Sequence, residues 1–350
     1  MTQILVTGGT GFIGLHLVSA LVARGRHVRV LDLRAPTCAL PGVEYIEGSV
    51  LDPDQVDRAL EGVDQVYHLA GLPGMWMPRK TDFHAVNFRG TEVVIGAARK
   101  RGIARFLHCS TESILFRGSS SEGAVADDAL LPADDAPGPY TRSKVLAERF
   151  AMQAAASGFP VIVGCPTMPI GAHDRNLTPP TAMLRHFLGK RFQFYVDFAL
   201  NLVDVRDAAA GLILAMERGK IGHRYILGGE SIPLKTILQL VTAISGRRAM
   251  LIQVPGRIAE TATAILELIA DHVTHRPPTG TAEGVRIALR ARALSIEKAQ
   301  RELGYAPRPV ESALRETVAY LLGTEDSRYE SGSSPDRNTR SFHPNRRYGV

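Results

Sequence analysis

Cysteine is scarce in this 350-residue chain, present only as Cys38, Cys109 and Cys165. Odd in number, far apart and out of metal-ligand spacing, the three argue against a disulfide framework and a thiolate metal centre. The N-terminus runs straight into a strand with no secretory leader, and together these absences point to a reducing cytoplasm. No apolar run reaches the ~20 residues needed to span a bilayer. A net charge of +6 raises the question of nucleic acid, but aromatics make up only 6% of the chain and no block of lysine or arginine has the density of a binding stripe. Nucleic acid is therefore not an expected partner, and the charge reads as solvated surface that also suits an anionic small molecule.

What the chain does have is a glycine-rich turn at its start. Gln3-Ile4-Leu5-Val6-Thr7 is a short apolar run that ends in Gly8-Gly9-Thr10-Gly11-Phe12-Ile13-Gly14 and flows into residues apolar at helical spacing. That succession reads as strand, tight turn and helix. Gly8 permits the turn, Gly11 lets backbone approach a pyrophosphate, and Gly14 lets the helix lie close to the sheet. Phosphates would sit on the free N–H groups at the helix start, around Phe12 and Ile13. The spacing is GxxGxxG, one residue wider than the common GxGxxG, and an ordinary glycine turn is the alternative. His27 to Asp32 then forms a second strand ending in an acid about 20 residues beyond the glycines, where a carboxylate can accept both ribose hydroxyls of NAD.

Strands and helices alternate from there. Strands are expected at 43–46, 65–70, 104–110 and 160–165, with helices at 54–60, 83–100 and 140–157. Strict alternation means a doubly wound parallel α/β sheet covered on both faces, with ligands beyond the carboxyl ends of its strands. Those ends carry Leu69, Ala70 and Gly71, which suit packing on an adenosine or nicotinamide, then Ser110 and Thr111, then Pro166. Hydroxyls and glycines also sit at strand ends merely to begin turns.

Tyr140-Thr141-Arg142-Ser143-Lys144 adds chemistry. At i and i+4 a phenol and an ammonium share one helix face. A cation there lowers the phenol from ~10 towards the working range of an acid–base catalyst.

These motifs together resemble the extended short-chain dehydrogenase/reductases, over residues 1 to about 322. The likeness rests on GxxGxxG, His68-Leu69-Ala70 at the fourth strand, Asn87-Phe88-Arg89-Gly90-Thr91, the hydroxyl Thr111 and YxxxK. Stretches at 166–171, 195–203 and 222–229 resemble the dihydroflavonol-reductase-like branch, particularly its hopanoid-associated sugar epimerase/reductase group. The resemblance implies a Rossmann domain over 1–166, a smaller and mainly substrate-binding α/β part over 167–322, and a homodimer through the helices at 83–100 and 140–157. It implies Tyr140 as proton donor or acceptor, Lys144 as holder of the nicotinamide ribose that depresses the Tyr140 pKa, and Thr111 as partner of the same substrate oxygen. Asn87 would brace the helix and cofactor site. The activity implied is NAD(P)-dependent interconversion of a secondary alcohol and a ketone or aldehyde on a small or lipid-like molecule. A nucleotide-sugar epimerase or dehydratase with retained NAD is the second reading, with Arg185, Arg191, Arg290 and Arg292 as candidates for a sugar diphosphate. A non-catalytic nucleotide sensor is the third, and the intact Thr111, Tyr140 and Lys144 count against it.

The chain departs from the family pattern in three places. Ser49 follows Gly48 where an acid usually contacts adenine, leaving adenine to the Val50 backbone. Glu112 follows the catalytic hydroxyl where a small residue is usual, and water is its expected neighbour. Asp32 repels a 2′-phosphate and favours NAD, although Arg34 leaves NADP open.

Beyond Pro166 the pattern loosens, with a strand expected at 201–205. Helices are expected at 179–189, at 208–217 with Asp207 as N-cap, from 231 to 245, at 295–305 and at 310–322. The run Ile258 to Val273 reads as a core helix, with a substrate lid or a membrane-docking helix as the other reading. Trp76 and the methionines of Leu72–Pro78 either cover a bulky apolar substrate or pack on their neighbours. From Gly323 the composition predicts a disordered tail.

Overall fold

Apolar β1 (Gln3–Thr7) lies near the middle of a seven-stranded parallel sheet in the computed structural model, which describes residues 2–36, 38–115, 130–291 and 293–330, the last seven by backbone only. It is followed by α1 (Phe12–Ala23), β2 (His27–Asp32), β3 (Val43–Glu47), α2 (Pro53–Ala59) and β4 (Gln65–His68). One continuous helical stretch then runs through α3 (Thr81–Phe83), a π-helical segment His84–Arg89 and α4 (Gly90–Lys100). β5 (Arg105–Cys109), α5 (Pro139–Ala156) and β6 (Val161–Pro166) complete the run legible from alternation. The sheet order is β10-β6-β5-β4-β1-β2-β3, which includes the later β10 (Arg224–Leu227). After β3 the chain returns to the other side of β1, so the strand order reverses between β1 and β4, the place where such sheets bind ligands.

Side chains alternate across β1 with the period of a strand. Ile4 and Val6 join a core beneath α1, α7 (Val205–Arg218) and α11 (Glu297–Leu303), whereas Leu5 joins another beneath α2, α4 and α5. Register aligns the carboxyl ends of neighbouring strands, pairing Thr7 with Leu31 and His68, and His68 with His108. The buried His68 ring locks this edge: Nδ1 meets Thr7 Oγ1 at 2.8 Å and Nε2 meets Thr91 Oγ1 at 3.0 Å. Burial pushes its pKa down to about 3, so it is a neutral strut.

The remainder is built from short strands, of which the sequence signals only the one near 201–205, and from helices packed on them. β7 (Met168–Ile170), β9 (Ala199–Asp204) and β11 (Glu230–Pro233) form a three-stranded sheet, and β8 (Phe192–Tyr195) pairs with β12 (Met250–Gln253). A third core packs α6 (Pro179–Leu188), α8 (Leu234–Ser245) and α12 (Val310–Glu330) around β7 and β9.

Four expectations need correction here. The N-cap of α7 is Asp204, whose carboxylate accepts from Arg206 N at 2.8 Å; Asp207 lies in the first turn and holds Arg308 instead. Residues 230–233 form a strand, so α8 begins only at Leu234. α12 continues to Glu330 because no proline or glycine in 324–330 interrupts propagation, and the rest of the expected tail, 331–350, lies outside the described residues. The run at 258–273 is no core helix. It forms α9 (Gly256–Ile269) and a π-helical end Ala270–Thr274 packed against α10 (Ala282–Leu289), and no residue of α9 is buried.

Candidate active site

The turn after β1 is packed too tightly for any side chain at two of its glycines. Gly8 has φ +72°, and a Cβ there would lie 2.6 Å from Ala70 N; one at Gly14 would lie 2.2 Å from Gly8 O. The turn is thus seated against Leu69 and Ala70 at the tip of β4, while α1 starts with Gly11 and no side chain caps its first amides. Gly71 continues the cradle, with room for only a hydrogen before Asn87 Oδ1. At the tip of β2 the Asp32 carboxylate accepts from Thr10 N at 3.0 Å and Leu33 N at 2.7 Å, which holds it over the glycine turn. Val50 is buried, with its side chain against Gly90, and Pro166 ends β6 on the same edge of the sheet. An uncapped helix start, a surface without Cβ atoms and an acid beside it fit a dinucleotide.

Three functional side chains converge one strand further on. Thr111 follows β5 and caps the short 3₁₀ turn Glu112–Ile114, its hydroxyl accepting from Ser113 N. That hydroxyl lies near enough to the Tyr140 phenol to favour its ionised form. It also donates to Glu112 Oε2 at 3.1 Å and lies 3.3 Å from Ser113 Oγ. Lys144, one turn after Tyr140, donates from Nζ to Cys109 O at 2.9 Å, and burial lowers its pKa. The Phe83 ring meets Tyr140 edge-on, with centroids 5.9 Å apart.

The electrostatics differ from the expected lysine-depressed phenol. Burial is the largest influence on Tyr140 and raises its pKa; the Glu112 carboxylate raises it further, and the Thr111 hydroxyl opposes both. In this state the phenol is held neutral, with Lys144 bound to a backbone carbonyl. Glu112 is not the water-facing acid anticipated, because its carboxylate is bound to the Thr111 hydroxyl.

Two supports hold this cluster: Asn87, expected as a brace, and Glu283, which the sequence did not signal. Asn87, within the π-helical segment, accepts from Leu72 N at 2.7 Å and donates to Ser143 Oγ at 3.0 Å, tying the loop after β4 to α5. Such π turns often mark functional positions. Glu283 of α10 reaches the start of α5 and accepts from Thr141 N and Oγ1, each at 2.7 Å, and from Tyr140 N at 3.3 Å. No local spacing signals a residue that distant.

The Leu72–Pro78 loop packs on its neighbours. Trp76 donates to Asp271 at 2.7 Å with the Lys80 ammonium over its ring, and it is mostly buried. A cavity of about 560 Å³ adjoins Ser113 and is lined also by Leu131, Arg286, Ile287 and Arg290. Both arginines already hold backbone carbonyls, of Pro137 and Asp135. Of the other arginines considered for a diphosphate, Arg185 and Arg191 do not line this cavity and Arg292 lies outside the described residues.

The reversal of strand order, the glycine cradle and the Thr–Tyr–Lys cluster define an extended short-chain dehydrogenase/reductase, a nucleotide-dependent enzyme. The chain belongs to the NAD dependent epimerase/dehydratase family, whose model matches residues 4–228. A Synechocystis sp. protein provisionally named dihydroflavonol 4-reductase is 33% identical over 90% of this chain and 93% of its own. A 4-hydroxy-2-methyl-3-oxo-4-farnesyl-3,4-dihydroquinoline-1-oxide ketoreductase from Stigmatella aurantiaca is also 33% identical, over 87% and 91%. The UDP-glucose 4-epimerase of Thermus thermophilus, solved with NAD, shares the fold at a TM-score of 0.72, with 22% identity and coverage of 92% and 99%.

Proposed function

We propose that this protein uses NAD(H) to interconvert a ketone and a secondary alcohol on a small, lipid-like molecule. The observation that carries the reading is the approach of Thr111 to Tyr140 beside Lys144, at the carboxyl edge of the sheet that also bears the glycine cradle. Gly8, Gly11, Phe12, Ile13 and Gly14 would hold the pyrophosphate, and Asp32 the adenosine ribose. Val50 would meet the adenine; Leu69, Ala70, Gly71 and Pro166 would line the nicotinamide side.

When bound, the nicotinamide exchanges a hydride with the substrate carbon. The protein's share is position and a proton. In reduction, Tyr140 Oη gives its proton to the carbonyl oxygen as that oxygen gains charge, so C=O becomes CH–OH. Thr111 Oγ1, near the same phenol, fixes the oxygen's position. Lys144 supplies positive charge on the same helix face while the tyrosine is deprotonated. Oxidation runs the same transfers backwards.

The lipid-like substrate is supported by the farnesyl-bearing ketone for which the Stigmatella relative is named. NAD over NADP is supported by Asp32, whose charge would meet a 2′-phosphate. The exposed Arg34, two residues on, is the group through which NADP would gain entry. A homodimer is supported by Val93, Ala97, Phe150 and Met152, apolar and only partly buried along α4 and α5. The free cysteines support a cytoplasmic location.

The second reading, a nucleotide-sugar epimerase, draws on the shared fold and on Arg286 and Arg290 in the cavity wall. Binding of NADH and NADPH, followed by a panel of carbonyl compounds and nucleotide sugars, separates the two. NADH-consuming ketone reduction that Tyr140→Phe removes is the expected result. Inversion of a nucleotide sugar with tightly held NAD and no net NADH change would favour the epimerase, and an NADPH preference above ~100-fold, about 2.7 kcal/mol, would overturn the role given to Asp32.

A further inference from the structure

α9 is amphipathic the wrong way round for a helix packed on a protein. One side of it faces the body: Glu260 accepts from Arg286 Nε at 2.7 Å, and Thr263 abuts Gly280. In the π-helical end, Ala270 is buried and Asp271 holds Trp76 and Lys80. The opposite face carries Ile258, Ile265, Leu268, Ile269 and Val273, which are 60%, 54%, 59%, 41% and 71% exposed. A substrate lid would turn those side chains inward, and this helix turns them out.

Charge follows the same division. Glu260, Glu267 and Asp271 are the acids between Gly256 and Thr274, and all three are partly buried on the inward side. Glu260 and Asp271 are engaged as above, and Glu267 lies near enough to Glu283 to disfavour a charge there. The outward face and its ends carry exposed Arg257 and Arg276 and no carboxylate. None of the helices among the described residues is long and apolar enough to cross a membrane.

We infer that the outward face of α9 seats the protein on an anionic bilayer surface. An apolar stripe set between two cations, with its acids withdrawn, is what binding in the headgroup layer requires. A second copy is the poorer occupant. Antiparallel pairing of two such helices brings Arg257 near Arg276, parallel pairing brings each against itself, and neither offers an acid in return. The stripe belongs to the unit whose Glu283 braces the start of α5, so docking would hold the catalytic helix close to a phase that stores apolar ketones. The inference goes beyond the proposed activity and stands on separate observations.

The test is co-sedimentation of the full chain, loaded with NADH, with phosphatidylcholine vesicles containing either no phosphatidylglycerol or 40% phosphatidylglycerol. At least tenfold stronger binding to the anionic vesicles is expected, weakening with added salt. Ile265→Glu with Leu268→Glu should reduce it at least tenfold while melting temperature and NADH affinity hold. Arg257→Gln with Arg276→Gln should remove the preference for anionic lipid. Failure of the wild type to pellet with anionic vesicles, or unchanged binding of the glutamate variant, would overturn the inference. So would a dimer that this variant turns into monomers by light scattering, which would make the face an interface between copies. None of these readouts measures turnover, so either proposal can fail without the other.

Discussion

Glu283 closes the N-terminus of α5 from the other half of the chain, with Oε1 on both Thr141 N and Thr141 Oγ1 at 2.7 Å. A helix start has orphan N–H groups and a positive dipole end, and a buried carboxylate answers both. Because Tyr140 N is also within reach of Oε2, the cap fixes the residue proposed to carry the proton. Glu283→Ala strands a buried donor and is expected to cost about 1–3 kcal/mol in denaturant unfolding. The same variant should lower kcat with little change in NADH affinity. Burial, the largest influence, holds this carboxyl above its ordinary value. The folded chain therefore keeps the proton longer than the unfolded one as pH rises. Stability linked to the group is full below the ordinary carboxylate range and is lost as pH climbs through the raised value. Wild-type stability measured against Glu283→Gln, which cannot titrate, should fall across that window; a rise would show the pKa to be depressed instead.

After burial, Glu112 is the next largest influence on the working range of Tyr140. Its carboxylate, bound to Thr111, favours the neutral phenol. Removing the charge in Glu112→Gln is expected to lower the tyrosine pKa. In the reductive direction, which needs the proton on Tyr140, the alkaline limb of the pH profile should then move to lower pH. In the oxidative direction the acid limb should move the same way. A profile unchanged in both directions would mean that the carboxylate is screened from the phenol during turnover.

Asp32 makes the cofactor preference testable apart from chemistry. Asp32→Ala removes the charge facing a 2′-phosphate and leaves Arg34 in place. Titration should show the NADH-to-NADPH affinity ratio falling at least tenfold. Because Thr10 N and Leu33 N lose their acceptor, NADH itself should also bind more weakly. A ratio that does not move would remove Asp32 from the ribose site.

What was legible follows from range. The Rossmann half could be read because its signals are local: β1 and β2 begin and end where the apolar runs do, and the glycines sit where the turn excludes Cβ atoms. Thr111, Tyr140 and Lys144 could be placed on one strand end and one helix face by spacing alone. What spacing cannot give is the partner of each group. Lys144 shares a face with Tyr140 yet donates to Cys109 O, and Glu112, adjacent to Thr111, turns back onto it rather than out. Glu283 acts across 142 positions on Thr141. β7, β8 and β11 are only three or four residues long and owe their existence to pairing, as with Ile232 opposite Leu200. For α9 the apolar face was visible but its direction was not, since periodicity shows that a helix has two faces and never which one meets the protein.

Behind Lys144, one turn further along α5, Glu148 is fully buried against Arg224 of β10. The arginine Nε donates directly to Glu148 Oε1, and the Cys165 thiol lies 3.8 Å from Oε2. Desolvating both charges cancels much of what their attraction provides, so the pair is weak grounds for stability as a whole. Breaking it is another matter. Arg224→Met leaves a carboxylate in an apolar layer with no cation, and a loss of about 3–5 kcal/mol is expected. Glu148→Leu combined with Arg224→Met removes both charges and should recover most of that loss. The carboxylate also favours the charged form of Lys144, whose pKa burial lowers. The double variant should therefore fold well and still carry a lysine that loses its proton more readily, seen as weaker NADH binding on the alkaline side. Should the double variant instead match the wild type across that range, Glu148 would be confined to the core and Lys144 would owe its charge to Cys109 O and the cofactor alone.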